Sequence, residues 1–222
     1  CDRTSQPFSS VPSQWSRDGG SSARSRSCAS GSWDATSGPT TAAATVSADT
    51  VNNIWVFFGS GRFLSTSDKT DTATQYFFGV KDPCATSSTC TQTTTSQSNK
   101  LLDVSNAVVC NPCATGTNEV TGVAGASSLS ELEGDIQDPV QNIDGWFTTL
   151  PTAGERSLSA PTILGGTVFF TTFVPTTDIC TAAGTGNLYA LYYLTGSAYG
   201  ESVIGTTTWT YAFTPTVSKR VS

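Results

Sequence analysis

The apolar residues of this chain are gathered into short runs of strand length, separated by stretches rich in Ser, Thr and Gly. Residues 54–58 form a β-branched and aromatic run that ends at Gly59. This run is too short for a buried helix and is typical of a strand buried on both faces. The alternating segment 44–48 precedes it across a turn at Val51-Asn52-Asn53, so the two segments predict a β-hairpin.

Similar runs return along the rest of the chain. Strands are predicted at 76–82, 167–174, 188–193 and 209–213, because each is rich in Val, Phe or Tyr. Ser128 followed by Glu131 forms a capping-box pattern, which predicts one short helix. The fold class is therefore mainly β, with antiparallel strands and few helices.

A weak internal repeat bears on how the strands are arranged into sheets. Val56-Phe57-Phe58 recurs as Val168-Phe169-Phe170, and in both places an aromatic strand follows after a loop. Repetition of short antiparallel sheets is typical of a β-propeller, here a partial or modified one. A β-sandwich with two similar hairpins is the alternative, and periodicity does not separate the two.

The polar stretches predict the domain organisation. Residues 1–41 are dominated by Ser, Gly, Arg, Thr and Ala, and they are interpreted as a loop-rich N-terminal arm. Residues 42–222 are interpreted as the β domain. A polar insertion is expected within it at about 84–127, since residues 85–99 are nearly all Ser, Thr and Gln.

Composition excludes several functional classes. Charged residues make up 13% of the chain, the net charge is −6, and Lys and Arg do not cluster, which argues against a nucleic-acid surface. There is no His, so the chain holds neither a Ser-His-Asp nor a Cys-His catalytic system. No apolar run approaches the length of a transmembrane helix, so no transmembrane segment is expected.

Seven cysteines in a charge-poor chain favour an oxidising compartment. Sequence does not fix their connectivity, but short loops favour three disulfides, which join Cys1 to Cys28, Cys84 to Cys90, and Cys110 to Cys113. Cys180 is then unpaired or available for an intermolecular bond. A zinc site is the alternative for the middle four, although the Cys84–Cys90 gap fits zinc spacing poorly. Another alternative is a lipid-modified Cys1, as in mature bacterial lipoproteins.

Several ordered motifs between residues 42 and 196 resemble the C-terminal region of the PilY/PilC family of type IV pilus tip-associated proteins. They are WVFFGSGRFL from Trp55, DKTDT from Asp68, QYFFGVKD from Gln75, GWFTTLP from Gly145, Gly154-Glu155-Arg156, GGTVFFTT from Gly165 and LYAL from Leu188. The resemblance implies a modified β-propeller at the pilus tip or outer surface of a bacterium. It also implies a role in adhesion or pilus biogenesis, with other polypeptides as partners.

Most residues of these motifs are interpreted as structural. Gly59 and Gly61 are expected to permit a turn, and Arg62 to pair with Asp68 or Asp71. Trp146 is expected to be a core or inter-blade anchor. Trp55, which begins the first of these motifs, is also interpreted as structural. Glu155 and Arg156 are expected to form a buried pair that fixes strand register.

No catalytic, cofactor or metal site is predicted. Family members often hold Ca²⁺ on an acidic loop, but the alternating acidic residues of such a loop are missing here. The acidic concentration that does exist is interpreted as a solvated face, made of Glu131, Glu133, Asp135, Asp138 and Asp144. Calcium is therefore a minor alternative.

The favoured function is a non-catalytic, secreted module that acts through protein–protein contacts, and no enzyme activity is expected. The alternative is a quinoprotein-like propeller domain of a secreted redox enzyme, since the strand and turn from Leu188 to Gly196 resemble that signature. The chain has no Met and is short for a whole propeller. It is therefore expected to be a fragment or a reduced member that buries apolar surface against another polypeptide.

Overall fold

The computed structural model describes residues 38–82, 100–176 and 184–199, together with the backbone of 212–213. The strands are β1 Thr45–Ala48, β2 Ile54–Gly59, β3 Tyr76–Lys81, β4 Leu101–Asp103, β5 Val108–Cys110, β6 Val120–Thr121, β7 Gly145–Thr149, β8 Arg156–Ser157, β9 Thr162–Leu164, β10 Thr167–Pro175, β11 Gly184–Tyr192 and β12 Ala212–Phe213. A 3₁₀ turn, Thr66–Lys69, and helix α1, Leu129–Gln137, are the helical elements in these ranges. The prediction of a mainly β chain with few helices is confirmed.

The strands form three sheets. The first has the order β1-β2-β3-β7-β4, in which β4 alone runs parallel to its neighbour. The second has the order β11-β10-β8, with β9 also paired to β10, and the third has the order β12-β5-β6. The predicted hairpin is confirmed, because β1 pairs with β2 antiparallel from Thr45 opposite Phe57 to Ala48 opposite Ile54.

The main core lies between the first and second sheets. The rings of Phe77 in β3 and Phe170 in β10 stack with centroids 3.6 Å apart and planes 7° apart. Phe170 also stacks on Tyr189 of β11 at 4.8 Å. Burial of each such ring stabilises the fold by about 2 kcal/mol, and each stacked pair adds about 1 kcal/mol.

The opposite face of the first sheet is apolar as well. Phe58, Phe78, Phe147 and Leu101 form a second buried cluster there, with Val56, Tyr76 and Val80 against it. Successive side chains of a strand point to opposite faces, so these residues alternate with the core residues Phe57 and Phe77. This arrangement agrees with the prediction that 54–58 is a strand buried on both faces.

Residues 101–127, which fall within the expected polar insertion, contribute strands β4, β5 and β6. Leu101, Val104, Val109 and Val120 are all buried. The strands are two or three residues long and stand among Ser, Thr and Asn, so their apolar signal is weak in the sequence. Residues 83–99 lie outside the described residues.

Helix α1 begins where the capping pattern predicts. The Ser128 hydroxyl accepts a hydrogen bond from the Glu131 amide at 3.1 Å. The return half of the box is displaced by one residue, since the Glu131 carboxylate accepts from the Ser127 amide and hydroxyl. At the other end, Lys81 Nζ donates to the Ile136 carbonyl at 2.5 Å and ties the helix to β3. No helix among the described residues is long and apolar enough to cross a membrane.

A disulfide joins Cys110 to Cys113 at the end of β5. The bond uses two of the four thiolates that the alternative zinc site needs. Cys1, Cys28, Cys84, Cys90 and Cys180 lie outside the described residues, so their pairing stays a prediction.

Replacement of both Cys110 and Cys113 by Ser is expected to lower the free energy of unfolding by about 2 kcal/mol. A disulfide restricts the unfolded chain, and a ring of this small size gives a contribution near that value. Chemical denaturation of the double variant measures it. A loss close to zero, with unchanged spectra, would show that this bond does not stabilise the fold.

Candidate functional site

The motif beginning at Trp55 and the Gly154-Glu155-Arg156 motif meet in the structure. Gly61 has a φ of 128°, and a Cβ built on it would overlap the Cβ of Arg156. A Cβ on Gly59 would likewise overlap the side chain of Ser157. The sequence suggested a turn at both glycines. The structure shows that they also let the end of β2 lie directly against β8, where the Ser157 amide donates to the Ser60 carbonyl at 3.0 Å.

The contact between residues 59–71 and the segment 154–157 forms a junction, and Arg156 lies at its centre. Its side chain is buried and donates to backbone carbonyls only: Nε to Gly154 at 2.9 Å, Nη1 to Arg62 at 2.9 Å and to Asp68 at 2.6 Å, and Nη2 to Asp71 at 2.9 Å. The guanidinium carbon also lies 5.8 Å from the centre of the Phe63 ring. One side chain therefore holds the 62–71 loop against β8.

Asp68 organises the same loop from within. Its carboxylate accepts from the amides of Leu64 and Ser65, each at 2.8 Å, and from Arg62 Nε at 2.9 Å. These hydrogen bonds, with that of Leu64 the largest contribution, hold the pKa of Asp68 far below its usual value. Of the two predicted partners of Arg62, the structure therefore has Asp68. Because the Arg62 side chain is half exposed, the ion pair itself contributes little to stability.

Glu155 is buried beside Arg156, but the two side chains do not form the expected pair. Neighbouring residues in extended chain point to opposite sides, so they face different surroundings. The Glu155 carboxylate accepts from the Thr172 hydroxyl, from Asn187 Nδ2 at 2.7 Å and from the Tyr189 hydroxyl at 2.7 Å. It also accepts from the Thr152 amide at 3.1 Å. The residue joins three segments through hydrogen bonds rather than through an ion pair.

The hydrogen bonds to Glu155 decide its charge state. Burial opposes ionisation, but the bonds from Thr172, Tyr189, Asn187 and the Thr152 amide outweigh it and hold the pKa of Glu155 below its usual value. The same balance between burial and hydrogen bonds sets the pKa of Asp49 at the β1–β2 turn. Burial is outweighed there by bonds from Trp55 Nε1 at 3.0 Å and from Asn53, so the pKa of Asp49 is also lowered.

Stability is therefore expected to fall in acid partly through Glu155. A glutamate in the unfolded chain has a pKa of about 4.3. Because the folded pKa is lower, the carboxylate contributes stability above that pH, and the contribution is lost as the pH falls toward the folded pKa. Urea denaturation between pH 7 and pH 3 is expected to show a shallower acid slope for Glu155→Gln than for the parent chain. The exposed carboxylate variant Asp103→Asn serves as control, and equal slopes for all three proteins would contradict the assignment.

Trp146 is fully buried and is enclosed between two glycines. A Cβ on Gly79 of β3 would lie 2.5 Å from the indole Cε2, and one on Gly196 would overlap Cε3 and Cδ2. The indole nitrogen donates to the Tyr193 carbonyl at 2.9 Å. Trp146 thus anchors the turn after β11 to the first sheet. The fully buried Trp55 plays a comparable part at the β1–β2 turn, through Asp49.

The polar side chains of this junction form hydrogen bonds that hold parts of the fold together. Arg156 holds the 62–71 loop against β8, and Glu155 joins β10 and β11, so both residues act as parts of a scaffold. Among the described residues, no group of three or more His, Cys, Asp or Glu side chains is placed to hold a metal ion. The carboxylates of Glu131, Asp138 and Asp144 instead bind Ser127, Val140 and Lys100, in that order.

Sequence reasoning did not assign a role to several residues that the structure brings to the junction and to Trp146. Thr172, Asn187 and Tyr189 converge on Glu155, and Gly79 and Gly196 enclose Trp146. One signal was available, because Thr172, Asn187 and Tyr189 carry polar groups beside the apolar and aromatic runs of β10 and β11. Glycines at the centre of β3 and in the turn after β11 were a second signal, since a strand glycine often marks a close approach.

The protein is a mainly antiparallel β scaffold of three sheets with a buried polar junction, and comparison with known proteins shows what it is similar to. No protein-family model matches the chain. A type IV pilus biogenesis factor PilY1 homolog of Xylella fastidiosa is 28% identical in an alignment of 149 residues, which covers 64% of this chain and 9% of that protein. The resemblance inferred from the motifs is confirmed, since the chain is similar in sequence to this PilY1 homolog.

A solved structure is also similar. The crystal structure of the Pseudomonas aeruginosa PilY1 C-terminal domain matches with 16% identity and a TM-score of 0.45, over 72% of this chain and 33% of that domain. The chain therefore spans less than a tenth of the curated relative and about a third of the solved domain.

Proposed function

We propose that this chain is a non-catalytic module of type IV pilus biogenesis or adhesion, which acts at the outer surface of a bacterium through contacts with other polypeptides. The observation that carries the proposal is the sequence match to the PilY1 homolog, whose name describes a pilus biogenesis factor. Because the relative is much longer than this chain, its role in pilus biogenesis is proposed for the chain and is not transferred to it directly.

The construction of the scaffold supports a binding role. Three of the buried charged side chains, Asp68, Glu155 and Arg156, bind backbone and side-chain groups that hold loops in place. Groups engaged in this way keep a loop rigid, and binding residues are often carried on loops positioned by a rigid scaffold. We propose that the module works without a cofactor.

The arrangement of sheets supports a propeller-like organisation. Adjacent blades of a propeller pack face to face, and the first and second sheets do so through Phe77 and Phe170. The sandwich alternative has the same local packing. We propose that the apolar far side of the first sheet belongs to the same construction, covered by polypeptide on that side as the core covers the other. The division into an arm at 1–41 and a β domain at 42–222 stays a prediction.

The redox-enzyme alternative rests on the strand and turn from Leu188 to Gly196. In the structure this segment has a different use, since Tyr189 binds Glu155 and Gly196 lies against Trp146. These contacts support the structural role that we propose for the segment. A visible absorption band that copurifies with the native protein, and is released on denaturation, would favour the enzyme instead.

The proposal is tested in the bacterium that encodes the chain. Deletion of the segment for residues 38–199 is expected to reduce surface pili, measured in sheared fractions, and to reduce twitching or attachment. Restoration of the intact segment is expected to recover both. Unchanged pili, twitching and attachment after the deletion would refute the proposed function.

A further inference from the structure

An open cleft of about 580 Å³ lies apart from the Arg156 junction, beside helix α1. Residues of several segments line it, among them Asn111 after β5, the α1 residues Glu133 and Gln137, and Tyr192 and Tyr199 around the turn after β11. Glu119, which precedes β6, completes it. Segments far apart in sequence therefore bring carboxylates and aromatic rings to one place.

The two carboxylates of the cleft bind neutral donors. Glu133 accepts from the Tyr192 hydroxyl at 3.0 Å and from Gln137 Nε2 at 3.2 Å. Glu119 accepts from the Leu129 amide at 3.1 Å. Neither is paired with a Lys or Arg among the described residues. These bonds fix the positions of both carboxylates but do not neutralise their charge.

The two tyrosines give the cleft an aromatic wall. Their ring centroids lie 4.9 Å apart, and Tyr199 is 43% exposed. Burial and the neighbouring Glu133 raise the pKa of Tyr192, so its hydroxyl stays protonated and keeps donating to that carboxylate. Carboxylates beside tyrosine rings are the combination that attracts a guanidinium or ammonium group, through both charge and the ring quadrupole.

We propose that this cleft binds an arginine or lysine side chain of a partner polypeptide. The net charge of −6 attracts a basic partner over longer distances, and the cleft supplies the short-range contacts. An open cleft admits a side chain that projects from a larger partner, whereas small molecules are usually enclosed more fully. The inference takes from the proposed function only that the partner is a polypeptide.

The test is a titration of the full chain, labelled with ¹⁵N, with three blocked tripeptides. They are acetyl-Gly-Arg-Gly-amide, its lysine counterpart, and a citrulline counterpart that keeps the shape of arginine without the charge. Shifts at Glu133, Gln137 and Tyr199 are expected with the cationic peptides. Citrulline is expected to bind at least about fivefold more weakly, because a neutral group loses the charge-assisted contacts.

Matched variants locate the site. Glu133→Gln, Glu119→Gln and Tyr199→Leu are each expected to weaken arginine-peptide binding by about threefold to tenfold. Glu131→Gln removes the same charge from an exposed position of the same helix outside the cleft, and it is expected to change binding less than twofold. If Glu133→Gln lowers the thermal midpoint, the other two cleft variants carry the test.

Three results would overturn the inference. They are equal binding of the arginine and citrulline peptides, equal weakening by Glu131→Gln and the cleft variants, and no saturable binding up to about 10 mM, weaker than any useful contact. Normal surface pili in a Glu119→Gln, Glu133→Gln strain, together with lost pili after deletion of residues 38–199, would refute a role of the cleft in pilus function. The proposed function of the module would still stand.

Discussion

Arg156→Met is expected to lower the free energy of unfolding by about 4 kcal/mol, because it leaves buried carbonyl groups without a donor. The guanidinium binds the carbonyls of Gly154, Arg62, Asp68 and Asp71, and the side chain is almost wholly buried. Methionine fills much of the volume but donates no hydrogen bond. Chemical denaturation monitored by tryptophan fluorescence measures the loss.

Arg62→Met is the matched control for this prediction. The substitution is chemically the same and lies in the same junction, but the Arg62 side chain is 52% exposed and its guanidinium has one carboxylate partner, Asp68. An exposed pair of this kind contributes less than about 1 kcal/mol. Similar losses for the two variants would show that Arg156 does not hold the loop as described.

Gly196→Ala is expected to destabilise the chain by about 3 kcal/mol. Gly196 has a φ of 66°, which is unfavourable for alanine, and its added Cβ would overlap the indole of Trp146. The backbone strain costs about 1 kcal/mol, and the forced repacking of a close-packed core costs about 2 kcal/mol more. Thermal unfolding followed in the near ultraviolet reports both the midpoint and the packing of the indole.

Gly134→Ala is the control for the glycine effect. Gly134 lies inside helix α1, and an added Cβ there meets no atom within 4 Å. Alanine is the better helix former, so this variant is expected to stabilise the chain by about 0.5–1 kcal/mol. A Gly196→Ala variant as stable as the parent chain would mean that Trp146 is not enclosed as the structure shows.

The strands and the first turn of helix α1 could be predicted because their signals are local. An unbroken aromatic run such as 54–58 has few alternatives to a strand, and Ser128 with Glu131 marks a helix start. The pairing of β2 with β3, or of β10 with β11, cannot be predicted from the sequence of either strand alone. Stacking of Phe77 on Phe170 depends on sheets formed by distant segments, so periodicity could not distinguish a propeller from a sandwich.

The junction shows the same limit at the level of single residues. The motifs that contain Arg62 and Arg156 were recognised, but the sequence could not say that Arg156 would bind four carbonyls or that Glu155 would turn away from it. Those partners are backbone atoms, which every residue carries. The cleft between Glu119, Glu133 and Tyr199 was missed for a related reason, since these residues looked like ordinary surface until the fold brought them together.

We propose that the folded β module is required for pilus function, and paired chromosomal variants test this proposal most directly. Strains that carry Arg156→Met or Arg62→Met are compared for surface pili in sheared fractions, with the amount of the encoded protein measured in the same cells. Pili are expected to be lost with Arg156→Met and retained with Arg62→Met, in line with the stability of the module. Normal pili in an Arg156→Met strain, whose purified chain is shown to be unfolded, would contradict it.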